Sequence, residues 1–425
     1  FSGRRILAVP LLSGLVWFAF LGPFKREAAP LEGPLQVVPY QIRCTVWFGF
    51  VHGLKTFFIE PHSDDHFFER GSYYGFPDEH MRFAFFSKAA MEFLLKSNKR
   101  PDMIHTHDWQ TALVPVLLYE IYQHSGMAHC RVCHTIHNFK HQGIAGENVL
   151  WFTGLGRPEY YYDKARLGDD FNPSAINFTK GAVLYSNFVT TVSPQHAWEA
   201  CNTDWGYGLA HTLTQHGEKF SGVLNGLDYD MWNPATDAHI ARHYDIESLD
   251  DKYINKQALR ERLWLRDDYS PIIAYVGRLD AQKGVHLIRH ALYYALSRGA
   301  QFVLLGSSPE LGINAEFWEI KHELNDNPDV HLEIGYDEDL AHQIYAGADM
   351  LVVPSMFEPC GLTQMISLRY GTVPIVRSVG GLVDTVFDRD HSDKPEQERN
   401  GYVFHQCDFP AVESAMDRAI GLWYD

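Results

Sequence analysis

Five short apolar runs set the fold of the second half of the chain: residues 271–277 (PIIAYVG), 301–306 (QFVLLG), 331–336 (HLEIGY), 350–355 (MLVVPS) and 373–377 (VPIVR). Each is strand-sized and bounded by glycine, proline or polar residues. Between them lie stretches with helical apolar spacing at 284–298, 313–325, 339–347 and 362–370. Apolar strands alternating with helices of this length mean βαβ units around a parallel sheet covered on both faces. The same alternation occurs earlier, with strands expected at 103–107, 131–138 and 187–193 and helices at 109–124 and 174–186. Further upstream, β-rich runs at 46–51 and 55–60 flank His52-Gly53-Leu54, a hairpin signal, and 83–95 has helical spacing. A charged stretch near 235–265, with a helix around 255–265, separates the halves. The pattern predicts an α/β chain of two Rossmann-like domains, with the cleft between them as the default site. The expected division is an atypical segment at 1–45, a first domain at 46–235 and a second at 236–425.

Composition narrows the function classes. Lys and Arg number 36 and Asp and Glu 53, so 36 − 53 = −17. Nucleic acid as a partner rewards clustered cations, and this balance argues against it; a small phosphorylated ligand needs only a few. Six cysteines at irregular spacing in 425 residues are no disulfide scaffold and fit a reducing compartment. The chain starts at Phe1, as a fragment or processed form does. Ile6 to Phe24 carries no charge and has the length of a membrane span or signal anchor. Pro10, Gly14, Gly22 and Pro23 make it a poor helix, so a segment foreign to the folded protein or a pair of buried terminal strands are the alternatives.

The residues that bear chemistry sit at strand ends. The run 271–277 leads into Arg278-Leu279-Asp280-Ala281-Gln282-Lys283-Gly284 and then a helix, an anion site in such folds with Arg278 and Lys283 as cations. Two solvated charges are the bland alternative. Neither a dinucleotide fingerprint nor a P-loop is present in this half. The run 350–355 leads into Met356-Phe357-Glu358-Pro359-Cys360-Gly361-Leu362-Thr363. There, Glu358 precedes a helix start whose backbone N–H groups at Gly361, Leu362 and Thr363 suit a phosphate. A carboxylate beside a diphosphate site suggests sugar-nucleotide chemistry, whereas Glu358 alone would also read as a helix cap. Two decoys are set aside. Cys130-Arg131-Val132-Cys133-His134 fits a haem-attachment pattern but lies in an expected buried strand. His105, His107, Asp108, His134, His137 and His141 resemble a metal cluster, yet His107, Asp108 and His137 at two strand ends are explained as sugar contacts.

These pieces, in this order, carry a resemblance. HTHDWQT (105–111), TIHNFKHQG (135–143), KGAVLYSNFVTTVSP (180–194), NGLD (225–228), GRLDAQKG (277–284), FEPCGLTQ (357–364) and RYGTVPIVRSVGGLVDTV (369–386) resemble the retaining glycosyltransferases of the bacterial glycogen synthase and starch synthase group. Together these motifs cover roughly residues 45–425, and the runs at 59–75 and 284–293 look most like the plastidial soluble starch synthases of class III/IV. The resemblance implies a GT-B fold, two Rossmann-like domains facing across a cleft. It implies that ADP-glucose donates glucose to the 4-hydroxyl at the non-reducing end of an α-1,4-glucan, with retention. Arg278 and Lys283 would then neutralise the ADP leaving group, and Glu358 would hold the donor glucose with backbone from Cys360 and Gly361. Leu362 and Thr363 would lie near phosphates and ribose, and Tyr336 would stack on adenine. His137 and Asp108 would face the sugar, with Trp109 and Asn138 on the acceptor side and Asn225 on the donor side. No metal, cofactor or enzyme nucleophile is implied, and the compartment would be the plastid stroma, or the cytoplasm of a bacterium.

Two departures from the family pattern bear on activity. A glycine-rich Lys-x-Gly-Gly loop that binds the donor is not found in residues 1–45, and the final helix that crosses back to the first domain is not reached before Asp425. The first domain is therefore expected to be incomplete, and a glucan-binding homologue without turnover is the alternative function.

Overall fold

The computed structural model describes residues 41–71 and 74–424, together with the backbone of strands at 7–12, 15–17, 19–20 and 31–36. The chain forms two compact units, Phe1–Val192 with Ala197–Val223, and Leu224–Asp425 with Ser193–His196.

The first unit is built on one mixed sheet. Leu15–Trp17, Met103–His107, Arg131–Ile136, Phe188–Thr191 and Phe220–Gly222 run parallel, in that order. On the other side of Leu15–Trp17 the sheet continues antiparallel through Leu7–Leu12, Leu54–His62, Gln41–Val51 and Leu31–Gln36. The apolar N-terminal segment is thus drawn into strands, as its terminal-strand reading required, and not into a helix spanning a membrane. Pro10, which has no N–H to give a helix, sits in the strand Leu7–Leu12 opposite Thr56. Among the described residues no helix is long and apolar enough to cross a membrane. The hairpin expected at 46–60 forms, closed by His52 and Gly53 at φ +47° and +77°. Two left-handed residues are what a tight two-residue turn between twisted strands demands.

The helix Glu79–Lys96 buries nearly its whole length, Phe83, Phe85, Met91 and Leu94 included, against this sheet and its neighbours. The single helix expected at 109–124 is broken into Asp108–Thr111 and Leu113–Glu120. Pro115 has no N–H for the Thr111 carbonyl and its ring crowds that oxygen, so the first turn cannot run straight into the second.

The second unit has a parallel sheet in the order Val330–Ile334, Gln301–Ser307, Ile272–Arg278, Met350–Val353, Val373–Arg377, Tyr402–Phe404. The order reverses between Ile272–Arg278 and Met350–Val353, the switch point at which open α/β sheets part their strand ends to admit a ligand. The helices Val285–Ser297, Leu311–Glu323, Glu338–Gly347, Thr363–Arg369 and Phe409–Tyr424 complete the unit. Ile273, Tyr275, Phe302, Leu304 and Val352 from the strands meet Leu287, Ala291 and Met416 from the helices in one core. The strand Tyr402–Phe404 and the helix after it carry no signal as clear as the earlier runs. Arg418 holds them, reaching Asp388 and Asp390 at 2.9 and 2.8 Å and the Val403 carbonyl at 3.1 Å.

Candidate active site

In the second unit, two loops leave the switch point and are tied together by backbone. The loop after Ile272–Arg278 makes a single 3₁₀ turn, Ala281–Lys283, capped by Asp280, whose carboxylate accepts the Lys283 N–H at 3.0 Å. Tyr275 donates its hydroxyl to the Arg278 carbonyl at 2.5 Å and so fixes where the strand ends. The second loop, Pro354 to Leu362, lies against it. Met356 donates its N–H to the Gln282 carbonyl at 2.7 Å. Gly284, at φ +73°, comes so near the Pro354 carbonyl that a Cβ would collide with it. Only glycine lets the loops meet this closely.

That contact brings Lys283 to Glu358. The ammonium meets Glu358 Oε2 at 2.5 Å, and the Ser355 hydroxyl donates to the same oxygen at 2.9 Å. The side chains are 18% and 7% exposed, so the pair sits in a mostly desolvated pocket where Coulomb attraction is strong. Both bonds fall on Oε2. The loop is backed by Arg377, which donates to the Ser355 and Met356 carbonyls at 3.2 and 2.6 Å, and by Gly381, whose N–H meets the Glu358 carbonyl at 2.9 Å. A Cβ at Gly381 would run into Cys360. Gln364 donates to the carbonyls of Cys360 and Gly361 at 3.1 and 2.7 Å, closing the loop on the first turn of Thr363–Arg369.

The other residues expected here fall as follows. Arg278 lies at the rim, 61% exposed, with one guanidinium nitrogen 3.0 Å from Asp280. Cys360 is buried, burial raises its thiol pKa, and the backbone of Asn225 hydrogen-bonds its sulfur. That places Asn225 beside the same loop. Leu362 is exposed and Thr363 hydrogen-bonds the buried Tyr345 hydroxyl. Tyr336 stands beyond the end of Val330–Ile334 with its ring 86% exposed, its hydroxyl donating to Glu338 at 3.2 Å.

The first unit gathers a separate cluster at the carboxyl ends of Met103–His107 and Arg131–Ile136. Asp108 adopts φ +54°, a left-handed conformation that costs a non-glycine residue on the order of 1 kcal/mol and marks a constrained position. Its carboxylate accepts the His137 N–H at 2.7 Å and also the Asn138 N–H. Burial raises the Asp108 pKa, while His137 and the two N–H bonds pull it back. His107 Nδ1 lies 3.0 Å from His137 Nε2. Burial holds the His107 pKa at about 3, so its ring is neutral at ordinary pH. Asn138 turns its amide oxygen to the Lys140 N–H at 3.0 Å. Trp109 differs from the expectation. It is buried, edge-on to Phe83 at 4.9 Å and tilted against Phe178 at 6.4 Å, so its ring packs in the core and offers little surface to a sugar.

The decoys resolve on geometry. Cys130 donates its thiol to the Pro101 carbonyl at 2.8 Å, and Cys133 and His134 project to opposite faces of a strand. Among the described residues one group, Asp388, Asp390 and His391, has metal-ligand spacing. Arg418 already neutralises its two carboxylates. Ser355, Arg377, Gln364 and Gly381 are the residues that motif reading passed over. Their signal was weak: a serine one step past a buried strand, an arginine at a strand end, and a glutamine and a glycine inside longer runs.

The doubly wound sheets are those of the GT-B glycosyltransferases. Family models agree. The starch synthase catalytic domain matches residues 21–215 and glycosyl transferases group 1 matches 257–421. Glycogen synthase 1 of Trichormus variabilis is 65% identical over 384 residues, spanning 90% of this chain and 78% of that protein. Glycogen synthase 2 of Methylococcus capsulatus is 61% identical over 90% of this chain and 79% of its own length. The catalytic domain of starch synthase IV from Arabidopsis thaliana, solved bound to ADP and acarbose, superposes with a TM-score of 0.90 at 44% identity, covering 94% of this chain and 81% of that one. The chain belongs to the glycogen and starch synthase family of retaining glycosyltransferases, enzymes that elongate an α-1,4-glucan from a nucleotide-glucose donor and need no cofactor. The alternative of a homologue without turnover draws no support from these relatives.

Proposed function

We propose that this chain transfers glucose from ADP-glucose to the 4-hydroxyl at the non-reducing end of an α-1,4-glucan, and that the Lys283–Glu358 pair is the heart of the donor site. The single observation that carries the assignment is their 2.5 Å contact in a mostly buried pocket at the sheet's switch point. Lys283 supplies one fixed positive charge to the diphosphate and Arg278, at the open rim, a second. Both stabilise the negative charge that grows on ADP as the glycosidic bond breaks, and no reorganisation is needed at that moment. Glu358 holds glucose hydroxyls through Oε1, since Oε2 is taken by Lys283 and Ser355. The backbone of Cys360 and Gly361 lines the sugar, Leu362 and Thr363 the phosphates and ribose, and Asn225 closes the loop beside Cys360. Tyr336 gives adenine an exposed ring for stacking.

From the first unit, Asp108 and His137 contact the transferred sugar and Asn138 the acceptor, while Trp109 supports them from the core. No side chain is assigned as a nucleophile. The acceptor attacks from the face the diphosphate leaves, with the departing phosphate oxygen taking its proton, and so configuration is retained. The ADP and acarbose in the Arabidopsis relative support an adenine nucleotide and a glucan-like sugar as ligands. Plastid stroma is the setting if the chain comes from a plant or alga. The bacterial source of the relatives at 61–65% identity favours the cytoplasm of a bacterium. Glucose incorporation from ADP-glucose should fall at least 100-fold in Glu358→Ala and Arg278→Ala. Turnover within threefold of the parent in either variant would remove that residue's role.

A further inference from the structure

Behind His137 stands a row of side chains that the reaction does not itself require. His105 and His107 are two apart on the strand Met103–His107, so both rings leave the same face of the sheet. Their centroids lie 4.3 Å apart, and the next step, His107 to His137, is 5.3 Å. His105 Nε2 is 2.7 Å from the Thr135 hydroxyl, which is 2.7 Å from the Thr190 hydroxyl. Thr135 pairs with His107 across one strand boundary and with Thr190 across the next. The row is therefore anchored in three adjacent parallel strands, the least deformable part of the unit.

The last link of the row is a nitrogen–nitrogen bond, His107 Nδ1 to His137 Nε2 at 3.0 Å. His137 itself lies past the end of its strand, where its backbone N–H bond to Asp108 and this ring bond hold it. A neutral imidazole carries one N–H, and which nitrogen bears it is set by the partner of the other. An imidazole engaged through Nε2 has only Nδ1 left for a ligand.

We propose that His107 is a positioning residue: it holds Nε2 of His137, fixes the plane of that ring, and leaves Nδ1 as the nitrogen that meets the transferred glucose. This rests on the reading that His137 contacts the sugar. The buried, neutral His107 suits the task because it forms the bond without setting a charge beside His137. The second-order partners, His105 with Thr135 and Thr190, keep His107 from turning.

The test uses steady-state kinetics on the full chain. Asn places its amide where Nδ1 of histidine stands and Gln where Nε2 stands, so the two amides separate this bond from general packing. His107→Asn should keep kcat within threefold of the parent. His107→Gln and His107→Leu should lose at least tenfold in kcat, with KM for ADP-glucose moving less than threefold. Equal kcat in His107→Asn and His107→Gln, or a His107→Leu variant within twofold of the parent, would overturn the proposal. Where the leucine variant does not fold, the comparison of the two amides decides. His137→Ala is measured alongside. An inactive His137→Ala with indistinguishable His107 variants defeats this inference alone, whereas an active His137→Ala defeats the reading beneath it and the inference with it.

Discussion

If Lys283 and Glu358 form one desolvated unit, replacing either must change the sign of the other's effect. Lys283→Met keeps the aliphatic stem and removes the charge. Glu358 then remains as a carboxylate, 7% exposed, with the Ser355 hydroxyl still donating to it. Breaking a buried pair from one side costs about 3–5 kcal/mol. Lys283 is 18% exposed and Ser355 keeps its bond, so about 3 kcal/mol is the reasonable figure. For a unit of this size that lowers Tm by roughly 6–12 °C. Glu358→Gln alone leaves Lys283 a neutral acceptor and should cost about 1–2 kcal/mol. In the Lys283→Met background the same Glu358→Gln change removes a stranded charge and should raise stability by about 1–2 kcal/mol. Denaturant titration of the parent, two singles and the double closes the cycle. ADP release from ADP-glucose, measured on the same four proteins, should be down by about 100- to 1000-fold in every variant, because either change removes a group aimed at the transition state. Stability costs that add to within about 0.5 kcal/mol would show that the two side chains do not interact in solution, and the reasoning would fall.

Three further outcomes follow from the packing. Gly284→Ala adds a Cβ that collides with the Pro354 carbonyl at a left-handed backbone position, so the loops must part; KM for ADP-glucose should rise at least tenfold with about 1–3 kcal/mol lost on unfolding, and unchanged KM would refute the close approach. Trp109→Ala should destabilise the first unit by about 3–5 kcal/mol in denaturant, the cost of an emptied aromatic core site; loss of glucan affinity without loss of stability would return Trp109 to the sugar. The first unit should also weaken in acid. Burial holds His107 at about 3, lowers His105 and drives His134 far down from 6.5, so the unfolded chain takes up protons that the folded unit refuses. Stability therefore falls as pH drops from 6.5 toward 3, and the raised carboxyl of Asp108, with the opposite sign, returns part of it. A flat stability profile across that window contradicts the burial of these rings.

The alternation of apolar runs made the second unit readable almost strand by strand, because a parallel sheet covered on both faces needs continuous apolar segments of that length. What it left out were the edge strand Tyr402–Phe404 and the long helix Phe409–Tyr424 after it. An edge strand of three residues has too little apolar length to declare itself, and it is held by the contacts of Arg418 with Asp388 and the Val403 carbonyl, which lie far from it in sequence or carry no side-chain signal. In the first unit, length and apolarity left a membrane segment, a foreign segment and terminal strands all open for 6–24, because sheet pairing with Leu54–His62 and Met103–His107 is a long-range event that no local window reports. Arg278, Lys283 and Glu358 were legible as candidates because strand ends next to helix starts are where such folds bind anions. The burial of Trp109 was not legible, because its neighbours Phe83 and Phe178 come from other segments. Ser355 and His107 were invisible as partners, since both act through hydrogen bonds to residues from other segments.

The most direct measurement is the reaction itself. The chain is incubated with ADP-glucose carrying labelled glucose and a linear α-1,4-glucan oligosaccharide, with UDP-glucose in parallel. The account predicts label in lengthened chains, joined α-1,4 at the non-reducing end, with ADP released one for one and the ADP donor preferred. Free labelled glucose in place of longer chains, a β-linked product, or no incorporation by a folded protein would contradict it.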